Sequence, residues 1–422
     1  MRRLCLALGL AVGLAASVQA QTVDPASDLG QFRALRGAGM TALDSGDTTA
    51  ALEDFAKAQA LLPDSPSILL LQAQTLLKEK RRAEAKAMLL DYLRRGHVLD
   101  LARYTEFNAI WDTDLENQLQ ANQTVTGDME RLATFDGFHI VEALAYAPEP
   151  SRLYLSSLHD GKVVALSAED AARDVIAFRP GVAAWGLGLH DDTLWAATAQ
   201  SRQTDGYDPA KPVASKIVAI SAADGKIVSA VSDPLKKDRA FGHLLTGRDD
   251  LYVTDTAHGE VLRLPGYGKT LETLIPEGYM DNPQGLAENA DATVLMVSDF
   301  ISGLYRVDLT TGEMSRLLPP ADGNLLGITA LARYGDDLIA VQNGFRPNRI
   351  LRLRMSADWS QVATVEVLLR SEKRLSQPSQ GVVADDRFVF VADSQWGHLD
   401  DHGNAKTEAP GPAVIGAIRL KP

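Results

Sequence analysis

From Glu142 to Gln380 one short pattern returns six times, at steps averaging about 48 residues. Its members begin Glu142-Ala-Leu-Ala-Tyr, Trp185-Gly-Leu-Gly-Leu, Gly242-His-Leu-Leu, Gln284-Gly-Leu-Ala, Thr329-Ala-Leu-Ala and Gln380-Gly-Val-Val. Each is followed by a second β-prone run, starting at Leu153, Leu194, Leu251, Leu295, Leu338 and Val389. Gly-containing hairpins come next, such as His159-Asp-Gly-Lys-Val-Val-Ala-Leu and Ser302-Gly-Leu-Tyr-Arg-Val, where glycine supplies the positive φ of a tight turn. A step of this size accommodates about four strands, and a single such unit cannot bury its apolar faces alone. The repeats must therefore pack on one another.

The ends of the array say how. The first five units each finish with an outer strand, such as Lys226 to Val231 or Met314 to Leu318, but the sixth stops at Ile415 to Leu420. Met129 to Phe135 precedes the first inner strand and can serve as the missing outer strand. Lending it across would close the ring without free edges. The spacing predicts a β-propeller of six blades over residues 127–422. Asp255, Asp299 and Asp393 recur at the ends of second strands, and recurrence at one position of a repeat predicts turn capping there.

Before the propeller the period is helical. Leu35, Gly39, Ala42, Ala51, Phe55, Ala58 and Pro63 fit the 34-residue tetratricopeptide pattern. Gly39 and Ala51 let two helices approach, Phe55 fills the gap, and Pro63 stops the second helix. Adding 34 brings Ala73, Leu76, Ala85, Leu89 and Tyr92 to equivalent places. A third, degenerate helical pair is expected around Leu99 to Leu119, with Phe107, Ile110 and Trp111 on its apolar face. The fold class expected is thus α and β in separate parts: tetratricopeptide hairpins over 28–123, then an all-β propeller. The helices either form a binding array or pack on the next domain; both bury an apolar face.

Residues 1–20 read as a signal peptide: Arg2 and Arg3, an apolar run Leu4 to Ala16, and the small-x-small site Val18-Gln19-Ala20. A periplasmic or secreted location is expected, with cleavage near Ala20. The run is too short to span a membrane. The sole cysteine, Cys5, lies in that leader, which leaves the mature chain without a disulfide, thiolate metal site or cysteine nucleophile. The chain carries 42 basic and 55 acidic residues, a net charge of −13; losing Arg2 and Arg3 leaves 40 against 55, or −15. Nucleic acid is therefore not an expected partner.

Val141-Glu142-Ala-Leu-Ala-Tyr, Asn282-Pro-Gln-Gly-Leu-Ala and the strand ends at Asp255, Asp299 and Asp393 make the propeller part resemble the senescence-marker-protein, gluconolactonase and paraoxonase-like superfamily of six-bladed propellers. That resemblance implies a central tunnel holding Ca2+ or another divalent cation, with ligands from the starts of inner strands. Glu142 stands at the glutamate position and is the candidate metal ligand. Gln284 replaces an expected asparagine, Thr329 sits near the place of an aspartate, and Trp185 and Gly242 bring no carboxylate. A hard cation wants about six oxygens, several of them charged, and this set is thin.

Glu142, Trp185, Gln284, Thr329 and Gln380 are the candidate ligand-binding residues of the tunnel, for a polyhydroxylated or cationic ligand, and His243 is the candidate base. Two long loops, Gln200 to Ser215 and Gly397 to Pro412, are expected to flank the Glu142 mouth, and the second adds His398, Asp400, Asp401 and His402. No phosphate loop, zinc spacing or nucleophile elbow is present. Two functions follow from different features. One is an exported recognition or scaffold protein, its helical groove binding a protein or peptide and its propeller a ligand or second partner. The other, resting on Glu142 and the resemblance, is a metal-dependent lactone or ester hydrolase.

Overall fold

Six four-stranded antiparallel sheets stand in sequence order, five of them built from consecutive strands. Their inner strands are Val141–Ala147, Val182–His190, Phe241–Thr246, Pro283–Glu288, Ile328–Tyr334 and Gly381–Ala384. The computed structural model describes residues 24–137, 139–167, 172–400, 404–406 and 411–421. The expected leader, and Asp401 and His402, lie outside them. The sixth sheet joins the ends: Glu130–Phe135 pairs with Ala413–Arg419, which pairs with Arg387–Asp393. The fold is a six-bladed β-propeller closed by the strand that precedes blade one.

The recurring leucine of each inner strand fills the seam between blades. Leu187 packs with Ala145 and Val163 across blades one and two, Leu244 with Trp195 and Ala197 across two and three. Leu286 packs with Tyr252 and Val261, Leu331 with Ala287 and Met296, and Leu144 with Val391 and Ile415. Small residues set how close the strands come. A Cβ on Gly285 would lie 2.5 Å from the Leu331 nitrogen and 2.7 Å from the Ala330 carbonyl carbon, both backbone atoms of blade five. Gly285→Ala is accordingly expected to cost about 1–3 kcal/mol, because an inner strand has to move. Chemical denaturation measures it; a neutral substitution would show that the inner ring is looser than described.

Among the described residues the N-terminal part has five α-helices: α1 (Asp28–Ser45), α2 (Thr48–Leu61), α3 (Pro66–Lys78), α4 (Arg82–Arg94) and α5 (Thr113–Gln123). Ser27 and Asp47 cap α1 and α2 by accepting the Gly30 and Ala50 amides, and Pro66 starts α3. Gly39 faces the Phe55 ring, where an added Cβ would fall 2.6 Å from a ring carbon. The third helical pair does not form. Residues 105–109 make only a 3-10 turn before α5. The chain between α4 and that turn is drawn to the propeller instead, where the Val98 amide donates to the Arg346 carbonyl at 3.2 Å. Phe107 still packs, against Leu89, Leu93 and Leu115.

The helices stand on the loops of blades four and five. Leu29, Phe32, Phe55 and Leu71 share one core with Ile301, Leu326 and Phe345 of the propeller. Around it lies a buried polar seam. The Leu325 amide donates to the Asp64 carboxylate at 2.8 Å, Asn324 Nδ2 to the Asp64 carbonyl at 2.9 Å, Arg95 Nη1 to the Gly323 carbonyl at 2.7 Å, and Arg349 Nη1 to the Arg95 carbonyl at 2.9 Å. His97, 1 % exposed, meets Asn324 through Nε2 at 3.1 Å. Burial, then the nearby Arg349 and Arg95 charges, hold its pKa well below the ordinary value, so it accepts as a neutral ring. No helix among the described residues is long and apolar enough to cross a membrane.

Candidate functional site

The site is built by a slip in register. In blade one Val141 pairs with Ser157 and Leu144 with Leu155, so Glu142 and Ala143 face Ser156 alone. The Ser156 hydroxyl accepts the Ala143 amide at 2.8 Å. Blade three repeats this with Gly242 and His243 opposite Thr254, and blade four with Gln284 and Gly285 opposite Ser298; those hydroxyls accept the His243 and Gly285 amides at 2.9 and 2.8 Å. Such bulges bend a strand and re-aim a side chain. They put Glu142, Gly242 and Gln284, the second residues of their inner strands, at the channel mouth. In blade five the extra residue is Thr329, in blade two Trp185.

Glu142 is 9 % exposed, and its Oε2 accepts a 2.6 Å hydrogen bond from Trp396 Nε1. Its other oxygen has no hydrogen-bond partner among the described residues. Burial pushes the carboxyl up to about 7, and the indole bond only partly opposes that. Trp396 stacks on Trp185, with ring centroids 5.7 Å apart and planes 28° from parallel. Trp185 is half-buried, and its own Nε1 is shielded from solvent without a partner among the described residues. Gln380 Nε2 donates to the Trp185 carbonyl at 2.8 Å, and Ser379 Oγ to the Glu142 carbonyl at 3.0 Å. Gln284 Nε2 donates to Asn282 Oδ1 at 2.6 Å. Buried His243 is hydrogen-bonded to Gln284, yet burial lowers its pKa to about 4, which makes it an acceptor and a feeble base near neutral pH. Below the mouth a cavity of about 460 Å3 runs past His243 and Gln380 to Arg248 and Arg333 at the far end.

Trp396 is the residue that sequence reasoning missed. It sits in a 3-10 turn, 396–398, entered through Gln395 in the left-handed region at φ 70°. Gln395 is fully buried and clamps the loop to blade one: Oε1 accepts the His139 and Ile140 amides at 3.0 and 3.1 Å, and Nε2 donates to the Gly137 and Gly411 carbonyls. His398 and Asp400 are half-buried in the same loop; Asp400 accepts from the Asn404 backbone and side chain, and among the described residues neither is brought against Glu142. The blade-two loop holds Ser201, Gln203 and Thr204 buried, and the Asp205 amide donates to the His159 carbonyl at 2.8 Å.

Asp299 accepts the Asp281, Asn282, Ile301 and Ser302 amides, and Asp255 the Ala240 and Ala257 amides, so both organise turns. Asp255 also belongs to a buried ion cluster with Arg239, Asp233 and Glu260. Among the described residues no three His, Cys, Asp or Glu side chains converge as a metal site. The mouth does not fit the divalent ion that the resemblance implies. Glu142 is its only carboxylate among the described residues, one of whose oxygens faces an indole N–H, and the next positions are an indole, a glycine, an amide, a hydroxyl and an amide.

The chain is thus a six-bladed β-propeller that carries a docked helical region on the face of its Glu142 mouth. No family model and no curated protein matches it. It is similar to solved propeller structures. A gluconolactonase from Xanthomonas campestris is 15% identical, over 71% of this chain and 93% of that one, with a TM-score of 0.49. A putative oxidoreductase (glucose dehydrogenase) from Thermus thermophilus is 16% identical, over 70% and 100%, at 0.46. Virginiamycin B lyase from Staphylococcus aureus is 15% identical, over 70% and 99%, at 0.46. These are neighbours in architecture.

Proposed function

We propose that the chain is an exported recognition protein, in which the propeller mouth binds a small ligand and the helical part, as a tetratricopeptide array, engages a protein or peptide. The supporting observation is the composition of the mouth. One buried carboxyl, two stacked indoles, two amides and a hydroxyl surround it, and the one histidine there has a pKa of about 4. Such groups recognise; they do not assemble a nucleophile with a competent base. The helices dock on blades four and five, on the mouth face, which supports a partner surface beside the ligand site. Export accords with the residue 1–20 leader, and sequencing the secreted chain is expected to start at Gln21.

Calcium decides between this reading and hydrolysis. Millimolar calcium is expected to leave the melting temperature of wild type and Glu142→Gln unchanged to within about a degree, since a ligand that does not bind the native state adds nothing. A panel of lactones and esters with calcium, zinc or manganese is expected to stay intact. A calcium-dependent rise that Glu142→Gln abolishes, together with turnover of any lactone, would replace recognition by metal-dependent hydrolysis.

A further inference from the structure

We infer that the mouth takes an organic cation, the ammonium head of an amine, held between the free oxygen of Glu142 and the faces of Trp185 and Trp396. This rests on the reading of the mouth as a ligand site and names the ligand's class.

Hydrogen-bond inventory is the first ground. Four polar donors at the rim already serve the protein, Trp396 Nε1 with Glu142, Gln380 Nε2 with the Trp185 carbonyl, Gln284 Nε2 with Asn282 and the Ser379 hydroxyl with the Glu142 carbonyl, while Trp185 Nε1 is unpartnered among the described residues but shielded from solvent. What the rim still offers is mainly acceptors: Glu142 Oε1, the Gln380 side-chain oxygen and the second ring nitrogen of His243. A ligand that suits them carries donors and few acceptors, and an alkylammonium has three donors and none.

The aromatic pair is the second. Two indoles lie within stacking distance of each other, one of them bonded directly to the carboxylate. A π face attracts a desolvated cation, and indole does so best among side chains. A divalent ion gains little from such walls because it needs oxygens on most sides. An ammonium needs only one charged acceptor and tolerates a partly apolar surround. The third ground is the field: a net charge of −13 enriches cations near the protein.

Trp396 then reports recognition. Its N–H occupies one oxygen of Glu142, and the clamp by Gln395 fixes where its ring stands. The arriving ammonium shares the carboxylate with it or displaces it, and either event changes the environment of both indoles.

Tryptophan fluorescence of the full mature chain, titrated with n-butylammonium and with choline, tests this, with 1-butanol, glucitol and calcium chloride as comparisons. Saturable change is expected with butylammonium, more weakly with choline, whose head has no N–H donor, and not with 1-butanol. Affinity is expected to fall at least about tenfold in Glu142→Gln, the loss of one charge-assisted contact. Trp396→Phe, which keeps a ring and loses the N–H, is expected to retain binding, and circular dichroism checks that both variants fold. Equal binding of 1-butanol, or no saturation by either cation, would overturn the inference. If glucitol then binds in a Glu142-dependent manner, the mouth is still a recognition site, for polyols. If only calcium binds, the recognition reading falls with it.

Discussion

Glu142→Gln is expected to stabilise the protein above neutral pH and to leave it almost unchanged near pH 4. The Glu142 carboxyl has a pKa of about 7 in the folded chain against an ordinary 4.5. A group whose pKa rises on folding contributes fully below its unfolded value, and that contribution is lost as pH climbs through the folded value. Between about pH 4.5 and 7 the folded state keeps a proton that the unfolded state has released. Above 7 the buried charge persists without a cationic partner among the described residues. The difference is about 3 kcal/mol at pH 8, at roughly 1.4 kcal/mol per pKa unit. Glutamine keeps the acceptor for Trp396 and removes the charge. Urea unfolding of both proteins at pH 4, 6 and 8 reads the effect. Parallel curves would mean that a cation already neutralises Glu142 in solution.

Phe55→Ala is expected to be the most damaging substitution in the helical part, at about 3–5 kcal/mol. Phe55 is fully buried, in a core that the propeller residues Ile301, Leu326 and Phe345 help to form. The whole chain is therefore expected to melt earlier. Gly39 supplies an internal control. With Phe55 present, a methyl at Gly39 meets the ring at 2.6 Å, so Gly39→Ala destabilises. With Phe55 gone, the same methyl enters the void and is tolerated. The double-mutant cycle should give a coupling of at least about 1 kcal/mol, of the sign that favours the pair. Additive losses would contradict the close approach of α1 and α2.

The propeller was legible because its logic repeats. Each Leu of the inner-strand pattern meets the same kind of seam, and the unpaired Ile415 to Leu420 edge pointed to Met129–Phe135. The inner-ring positions were legible for the same reason, since in blades one to five a bulge falls at one place in the repeat. Trp396 was not, because it lies in an irregular loop with no counterpart in other blades, and its partner Glu142 is 254 positions away. Nor was the docking seam. Asp64, Arg95, His97, Asn324 and Arg349 belong to turns and strand ends, and no period relates them. The expected third helical pair failed where tertiary contact outweighed local pattern: Arg95, His97 and Val98 bond to the propeller, and only a 3-10 turn fits between them and α5.

The closing strand also orders events in time. Glu130–Phe135 finds its partner Ala413–Arg419 only after roughly 280 further residues have been made. Until then five blades can stack, but the sixth lacks its central rung, and an outer edge waits without a neighbour. Such an edge invites wrong pairing. Here it is short and begins with Glu130 and Arg131, both exposed. Charge at the waiting edge discourages another chain from joining first, while Glu130 later meets Arg387 of blade six at 2.8 Å. The residues that guard the nascent ring thus become part of its latch.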